Sequence, residues 1–308
     1  MKNRPNRSSA VFRNWHLSSS VRSRPYAYGF SSADFSQAEP ELWFPVVLSP
    51  ALSHESSESL SKPELLRAHL YHLVYFMDYT TALEMTHVNQ AINCMVSGDL
   101  ERYFDEGERR TALKLYADEG YHALFSREIA DQVASHFGLL RMKSARLERL
   151  DQVVRESPLE FRCLTRFCIA FVSETLITHE LYKLSRESLV TPVAHMLSDH
   201  LHDEGRHAIF FSDCFARLWS QIAIREKDYI VQVIIQVLAE FGRPDIIFLH
   251  LVFKSRPDIG VKVADGLEAN WVKRMPEISE MTLRAIQATD LLDDEIYFSK
   301  FNAAGLVF

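Results

Sequence analysis

The sequence predicts an all-α protein, a bundle of four long helices with additional C-terminal helices and an extended N-terminal arm. Two observations favour helices over sheet. Glycine contributes only 10 of the 308 residues, a low share for a fold that depends on tight turns. Long stretches without proline carry apolar residues at helical spacing. Because 47% of the residues are hydrophobic, the chain can bury a substantial core.

The chain divides into two regions of different composition. Residues 1–60 are rich in serine, proline and arginine and have no sustained helical period, so they are predicted to form an arm and loops. Residues 61–308 are predicted to form the helical-bundle domain. The first thirty residues are basic and contain no acidic residue, which suits either an organellar transit peptide or an arm that lies over the bundle.

Four long helices are predicted from Ser61 onward, each bounded by residues that cap or end helices. Ser61 and Glu64 form a capping-box pattern, and Gly98 and Gly138 follow the first two apolar stretches. Thr191 precedes a proline at the start of the fourth helix. The predicted long helices cover about 61–97, 105–136, 158–186 and 191–223, and shorter ones cover about 226–241, 244–254 and 277–295, with breaks expected at Pro244 and Pro257.

The charge balance and the cysteines exclude several classes of protein. The chain has 34 basic and 41 acidic residues and a net charge of −7, which gives no reason to expect a nucleic-acid partner. It has no run of about 18 apolar residues, so no membrane span is predicted. Its four cysteines form no Cys-x-x-Cys pair, which is typical of free buried thiols in a reducing compartment. These features predict a cytoplasmic protein.

The most informative motif is Asp-Glu-Gly-x-His, which occurs twice. One copy contains Glu119 and His122, and the other contains Glu204 and His207. Residues three apart share one face of a helix, so the glutamate and histidine of each copy can reach one point. Each copy lies within a predicted long helix. Two such pairs predict a two-metal site in the core of the bundle.

Three further residues extend this set. His200 lies four residues before Glu204 and shares its helix face. Glu84 and Glu174 occur on the first and third predicted helices, and each is followed along the chain by a Glu-x-x-His helix. Four glutamates and three histidines suit iron or manganese better than calcium or structural zinc. A bound cation would also remove the cost of burying these carboxylates.

Other residues have predicted supporting roles. Asp118 and Asp203 each lie four residues before the histidine of their motif, which suits outer carboxylates that accept the remaining ring N–H of a ligand histidine. The spacing leaves open which histidine each aspartate holds. His87 completes a third Glu-x-x-His pair and is predicted to support the site from outside or to lie in the core, with a ligand role left open. The candidate substrate contacts are Arg166, Thr80 and Thr178.

Together these residues resemble the non-haem di-iron N-oxygenases of the p-aminobenzoate N-oxygenase (AurF-type) family. His200 separates the pattern from the ordinary ferritin-like set of two Glu-x-x-His pairs and two carboxylates. The resemblance spans about residues 61–215. The matching order is Glu84, Glu119-x-x-His122, Glu174 and His200-x-x-x-Glu204-x-x-His207.

The resemblance implies a ferritin-like fold, often in a homodimer, with those seven residues as ligands. The ligands would hold two iron ions that change between Fe2+ and Fe3+ and react with O2, with manganese left open as the metal. The implied reaction oxidises an amine, often an aryl amine of natural-product biosynthesis, through the hydroxylamine toward the nitro compound. No dinucleotide, P-loop or flavin signature occurs, so electrons are expected from an external ferredoxin or flavoprotein reductase. No catalytic side chain beyond the ligands is predicted.

Three other interpretations remain open on sequence alone. A different di-iron carboxylate oxidase, such as a C–H hydroxylase, a desaturase or a radical-generating protein, is disfavoured by the additional His200. A ferritin-like protein that handles iron or peroxide is usually shorter. A metal-free helical scaffold leaves the buried glutamates and histidines without an explanation.

Overall fold

The structure is a computed structural model that describes residues 10–23, 28–184 and 188–307, without the side chains of 179, 180 and 182–184. Across these residues it contains helices and no strands. The α-helices, numbered in chain order, are α1 Trp15–Ser18, α2 Ser20–Ser23, α3 Ser32–Phe35, α4 Lys62–Leu83, α5 Asn89–Ser97, α6 Glu106–Phe137, α7 Ala145–Glu156, α8 Arg162–Leu184, α9 Thr191–Trp219, α10 Ile224–Gly242, α11 Ile246–Val252, α12 Pro257–Asn270, α13 Met275–Ile286 and α14 Glu295–Ala303.

Four long helices form the centre of the fold. α4 packs mainly on α6, α8 packs mainly on α9, and α6 also contacts α9. α5 continues α4 and lies against both α6 and α8, while α10 and α13 cover α8. The predicted all-α, ferritin-like bundle with additional C-terminal helices is therefore confirmed. No helix in the described ranges is both long enough and apolar enough to cross a membrane.

A layer of polar residues divides the bundle core into two apolar clusters. Along α6, Leu115 belongs to one cluster and Phe125 to the other. Along α9, Phe210 belongs to the first cluster and Leu197 to the second. The stretches between these residues contain the two Asp-Glu-Gly-x-His copies. Because protein cores are closely packed, the apolar clusters on both sides hold the polar layer in a fixed position.

The first long helix contains a π-helical turn. The sequence predicts one continuous helix over 61–97, whereas the structure has α4, a π-helical turn at Glu84–Val88 and then α5. A π-turn accommodates one extra residue, so the helix faces before and after it no longer line up, and such turns are frequent at functional sites. Glu84 opens this turn and is 5% exposed. The predicted ligand of this helix thus lies at an irregular turn.

The structure corrects several predictions for the later helices. α7 and α12 were not predicted: only three residues of α7 are buried, too few for a clear apolar period. The break expected at Pro257 is present, because α11 ends at Val252 and Pro257 begins α12, where its missing N–H is not needed. The helix predicted at 277–295 ends at Ile286, and Asp294 caps the separate helix α14. The remaining helix ends agree within four residues, and the predicted end at 186 lies outside the described residues.

The described part of the arm lies over the bundle. It contains the short helices α1, α2 and α3, with loops and 3-10 turns between them. α2 contacts both α6 and α9. Phe12, Trp15, Ser19 and Ser20 are buried. Residues 10–23 are therefore packed against the side of the bundle that α6 and α9 form.

Gly138 ends α6 in the left-handed region, with a φ of 59°. A Cβ at this position would meet no atom within 4 Å, so the cost of substitution comes from the backbone alone. Gly138→Ala is expected to lower the free energy of unfolding by about 1–2 kcal/mol, measured by urea titration. Gly29→Ala is the control, because Gly29 has open space and no positive φ. Equal losses at the two positions would contradict the backbone argument.

Candidate metal centre

Four helical segments carry the seven predicted ligands into the polar layer. The π-turn and α8 contribute one glutamate each, α6 contributes a Glu-x-x-His pair, and α9 contributes a histidine and a Glu-x-x-His pair. None of the seven is more than 5% exposed. They are Glu84, Glu119, His122, Glu174, His200, Glu204 and His207.

Six of these residues form two overlapping groups that could each hold a metal ion. All ligand atoms of one group lie within 4.8 Å of one another. The two groups have one glutamate and one histidine in common, which brings the two candidate ion positions close together. The first group contains Glu84, His122, His200 and Glu204, and the second contains Glu119, His122, Glu204 and His207.

Glu204 is the carboxylate that both groups share. Its Oε1 lies 3.1 Å from His122 Nδ1 and 3.1 Å from His207 Nδ1. The same oxygen lies 3.2 Å from His200 Nε2. One carboxylate therefore contacts all three histidines of the cluster, an arrangement in which it could bridge two cations.

Glu84 and Glu119 complete the two groups. Glu84 Oε1 is 3.0 Å from His200 Nε2, and Glu119 Oε1 is 2.7 Å from His207 Nδ1. Glu174 belongs to neither group by distance but approaches the second, because its Oε2 is 3.6 Å from His207 Nδ1. All four glutamates thus point into one small volume between α4, α6, α8 and α9.

Each motif aspartate contacts the histidine of the other motif copy. Asp203 Oδ2 is 3.2 Å from His122 Nε2, and Asp118 Oδ2 is 3.3 Å from His207 Nε2. In both histidines Nε2 therefore faces an aspartate and Nδ1 faces the glutamates. A neutral imidazole that donates its Nε2–H has a free lone pair on Nδ1, which is the form that binds a metal. Each aspartate–histidine pair thus joins α6 to α9.

Burial and mutual repulsion disfavour the ionised form of two glutamates. Burial raises the pKa of Glu84 to about 7, and His200 beside it offsets only part of this effect. Burial, together with the negative charges of Glu204 and Glu119, holds the pKa of Glu174 well above its usual range. A nearby cation would favour the ionised form of both carboxylates.

For Glu204, His122 and His207, neighbouring groups outweigh the effect of burial on the pKa. Burial would raise the pKa of Glu204, but the three surrounding histidines outweigh it and hold that pKa well below its usual range. Burial would lower the pKa of His122 and His207, but their carboxylate partners raise both well above the usual value. The carboxylates therefore favour the protonated imidazoles, and metal binding at Nδ1 would compete with protonation there.

Several carboxylate oxygens of this layer have no hydrogen-bond partner among the described residues. Burying such acceptors without a partner is costly. Oxygen and imidazole ligands with spare lone pairs fit iron or manganese ions, so a pair of such ions would satisfy the cluster. The oxygens are Glu84 Oε2, Glu119 Oε2, Glu174 Oε2 and Glu204 Oε2.

Comparison with known families agrees with this geometry. The family model of p-aminobenzoate N-oxygenase AurF matches residues 18–294. The chain belongs to this family. No match to a curated protein was found. Since the p-aminobenzoate N-oxygenases are di-iron enzymes, the chain is an enzyme of the non-haem di-iron N-oxygenase class.

In this N-oxygenase, His87 and Arg166 lie outside the two ligand groups. His87 Nε2 is 3.6 Å from Asp151 Oδ1 of α7, and burial lowers the pKa of His87 to about 4. Arg166 donates a hydrogen bond to Gln90 Oε1 of α5. These contacts join α7 to the π-turn and α8 to α5.

Two threonines of the N-oxygenase lie close to ligands along their helices. The Thr178 hydroxyl is 3.0 Å from the backbone oxygen of Glu174 and 3.2 Å from that of Glu204, so it links α8 to α9. Thr80 lies one turn before Glu84 and is 2% exposed. Its hydroxyl has no hydrogen-bond partner among the described residues. Thr80 therefore retains a hydroxyl that is able to bind a further group.

A cavity of about 280 Å³ opens between α4 and α8, under the C-terminal helices. Leu83 and Ser173 line it, and they directly precede Glu84 and Glu174 in the chain. The cavity therefore lies one residue along the chain from two of the cluster glutamates, neither of which is among its lining residues. Much of its wall is aromatic or aliphatic, including Phe44, Tyr79, Leu176, Phe241 and Trp271.

Sequence reasoning missed the residues of the arm and most of the cavity wall. Trp15 and Ser19 of the arm contact Asp118 directly. The available signal was a pair of large aromatic residues, Phe12 and Trp15, within an otherwise polar and basic stretch. The cavity wall combines a loop before α4 with four C-terminal helices, so no local pattern could identify it.

Metal binding is expected to stabilise the fold. With free Fe(II) or Mn(II) at 100 times its dissociation constant, the free energy of unfolding should rise by about 2.7 kcal/mol, measured as an increase in Tm under anaerobic conditions. Glu204→Ala should abolish the increase, because this residue belongs to both groups. Glu128→Ala, on the exposed side of α6, should retain it. A full increase in the Glu204→Ala variant would contradict the role of the shared carboxylate.

Proposed function

We propose that this chain is an O2-dependent monooxygenase that uses two iron ions to oxidise an amine to a hydroxylamine or nitro product. The proposed substrate class is an aryl amine of a biosynthetic pathway. The observation that carries the proposal is the buried cluster of glutamates and histidines beside an aromatic cavity. The family to which the chain belongs supports the same class of reaction.

The proposed ligands are the seven clustered residues, with Glu204 and His122 near both ions. A bound and reduced iron pair would supply the electrons that activate O2 for oxygen transfer to nitrogen. For the first oxidation the balance is R–NH2 + O2 + 2 electrons + 2 protons giving R–NHOH + H2O. The ligand set consists of Glu84, Glu119, His122, Glu174, His200, Glu204 and His207.

The protein contributes orientation and exclusion of water. Asp203 and Asp118 hold His122 and His207 by their outer nitrogens, which keeps each Nδ1 directed at the cluster. The apolar clusters on both sides of the polar layer keep the site dry. A dry site strengthens every electrostatic interaction within it and limits side reactions of activated oxygen.

The cavity between α4 and α8 is the proposed substrate chamber. The rings of Tyr79, Phe241 and Trp271 line it, and an aryl ring can stack on such faces. Arg146 lies 5.1 Å from the ring centre of Tyr79 and 5.7 Å from that of Phe241, which fixes two of these rings. We place the amine nitrogen at the end of the cavity that Leu83 forms, next to Glu84.

Two partners complete the proposal. The chain has no dinucleotide, P-loop or flavin signature, so a ferredoxin or a flavoprotein reductase is the proposed electron donor. A homodimer is the proposed assembly, on the resemblance to the family alone. Direct turnover with NADH at a high rate, without a reductase, would contradict the proposed donor.

The experiment that tests the function is product analysis with labelled oxygen. Protein loaded anaerobically with Fe(II) is mixed with 18O2 and a panel of aryl amines, and the products are identified by mass spectrometry. The expected result is a hydroxylamine or nitro product that contains 18O. Iron oxidation without an organic product would instead support an iron-handling protein. A C-hydroxylated or desaturated product would support another di-iron oxidase.

His200→Ala is expected to keep the fold but lower N-oxygenation by about 100-fold or more, because the first ligand group loses its α9 histidine. The measurements are the rate of product formation and the circular dichroism spectrum. His202→Ala is the matched control, since His202 is exposed two residues away on the same helix. Full activity of His200→Ala would remove the residue that distinguishes this ligand set from the ordinary ferritin-like one.

Leu176→Trp is expected to fill the proposed substrate chamber, because Leu176 lines the cavity from α8. Aryl-amine turnover should fall by about 100-fold, while the iron content stays at the wild-type value. Val261→Trp, at an exposed position of α12, introduces the same side chain away from the cavity. Unchanged turnover in the Leu176→Trp variant would place the substrate elsewhere.

A further inference from the structure

We propose that the N-terminal segment from Phe12 to Ser20 is an outer support of the metal site, in which Trp15 and Ser19 are positioning residues that hold His207 through Asp118. The inference rests on the proposed function in one respect, namely that the cluster binds metal ions. It assigns a role to a part of the chain that lies outside the bundle and carries none of the proposed ligands.

The first line of support is a chain of contacts from the segment to His207. Trp15 Nε1–H lies 2.9 Å from Asp118 Oδ1 and 2.8 Å from Asp118 Oδ2. The Ser19 hydroxyl donates a hydrogen bond of 2.6 Å to Asp118 Oδ1. Asp118 Oδ2 is in turn 3.3 Å from His207 Nε2. Asp118 is fully buried, so donors from the segment replace the water that would otherwise solvate its carboxylate.

A second chain of contacts reaches the other crossed pair. The Ser20 backbone N–H donates to Asp203 Oδ2 over 3.1 Å, and the same oxygen is 3.2 Å from His122 Nε2. Arg206 of α9 links Asp203 to the segment. It donates one hydrogen bond to Asp203 Oδ1 and another, of 2.9 Å, to the Ser18 hydroxyl. One short segment therefore contacts both aspartates that orient cluster histidines.

Phe12 covers the outer side of His207. The two rings are nearly parallel, with an interplanar angle of 7° and centroids 6.0 Å apart. Phe12 is fully buried, and its backbone oxygen accepts a hydrogen bond of 3.2 Å from Lys114 Nζ of α6. The imidazole is thus enclosed between the segment and the bundle, and it cannot turn away from the cluster while the segment stays in place.

These contacts predict an effect on metal release. A ligand histidine must rotate outward before a metal can leave. Asp118 can move with His207 only if its hydrogen bonds to Trp15 and Ser19 break. Loss of a group that orients a ligand histidine typically costs 10–100-fold in metal affinity. Removal of the Trp15 N–H should therefore speed metal release by about tenfold, without removing any ligand.

The test measures Fe(II) release from the full-length protein to a strong chelator under anaerobic conditions. Trp15→Phe and Ser19→Ala are expected to release iron about tenfold faster than the wild type, and Ser19→Thr, which keeps the hydroxyl, is expected to restore slow release. Trp43→Phe is the matched control. Trp43, like Trp15, is buried and precedes α4, but its Nε1–H donates to the Gln37 backbone oxygen over 3.1 Å.

Two further measurements distinguish a positioning role of Trp15 from a purely structural role. The Tm of the metal-free protein should fall by a similar amount in Trp15→Phe and Trp43→Phe, whereas only Trp15→Phe should change iron release. The visible spectrum of the Co(II)-loaded protein should shift in Trp15→Phe, since the orientation of His207 changes. If the wild type releases iron at the same rate as Trp15→Phe and Ser19→Ala, the inference is overturned while the proposed function stands. A wild type that binds no metal would overturn both.

Discussion

The burial of four carboxylates in one layer of the core is the constraint on which the rest of this structure depends. Each ionised carboxylate loses several kcal/mol of solvation in such a place, so the layer exists only because other parts of the fold offset that loss. Histidines from α6 and α9 provide the nearest compensation. The apolar clusters on both sides provide the remainder, which explains why the bundle uses long helices with the polar layer in the middle rather than at one end.

The crossed contacts make the two halves of the chain depend on each other. Asp118 and His122 belong to one motif copy, yet Asp118 supports His207 and His122 is supported by Asp203. Neither copy could therefore orient its own histidine if α6 and α9 were separated. The motif occurs twice in the sequence, but the contacts that orient each histidine need both helices. Substitution of either aspartate should first change the orientation of the histidine on the opposite helix.

The residues of the cluster could be predicted because helical periodicity and the repeated motif are local properties of the sequence. The pairing of each aspartate with a histidine could not be predicted. The spacing is the same in both copies, and only the packing of α6 on α9 selects the partner. The π-turn at Glu84 was equally hidden, because one extra residue in a helix leaves no distinct pattern. Trp15 was missed for a third reason: its partner Asp118 is distant in sequence and its own surroundings have no period.

The N-terminal segment and the cavity contact different long helices of the bundle. α6 packs on α9, and the N-terminal segment covers that face and contacts the aspartates behind two histidines. α4 and α8 pack mainly on other helices, and the cavity lies between them. In the proposed function, support of the metal ligands and entry of a substrate therefore need not compete for the same surface. Because binding free energies are reciprocal, any affinity that the segment adds to metal binding equals the affinity that a bound metal adds to the docking of the segment.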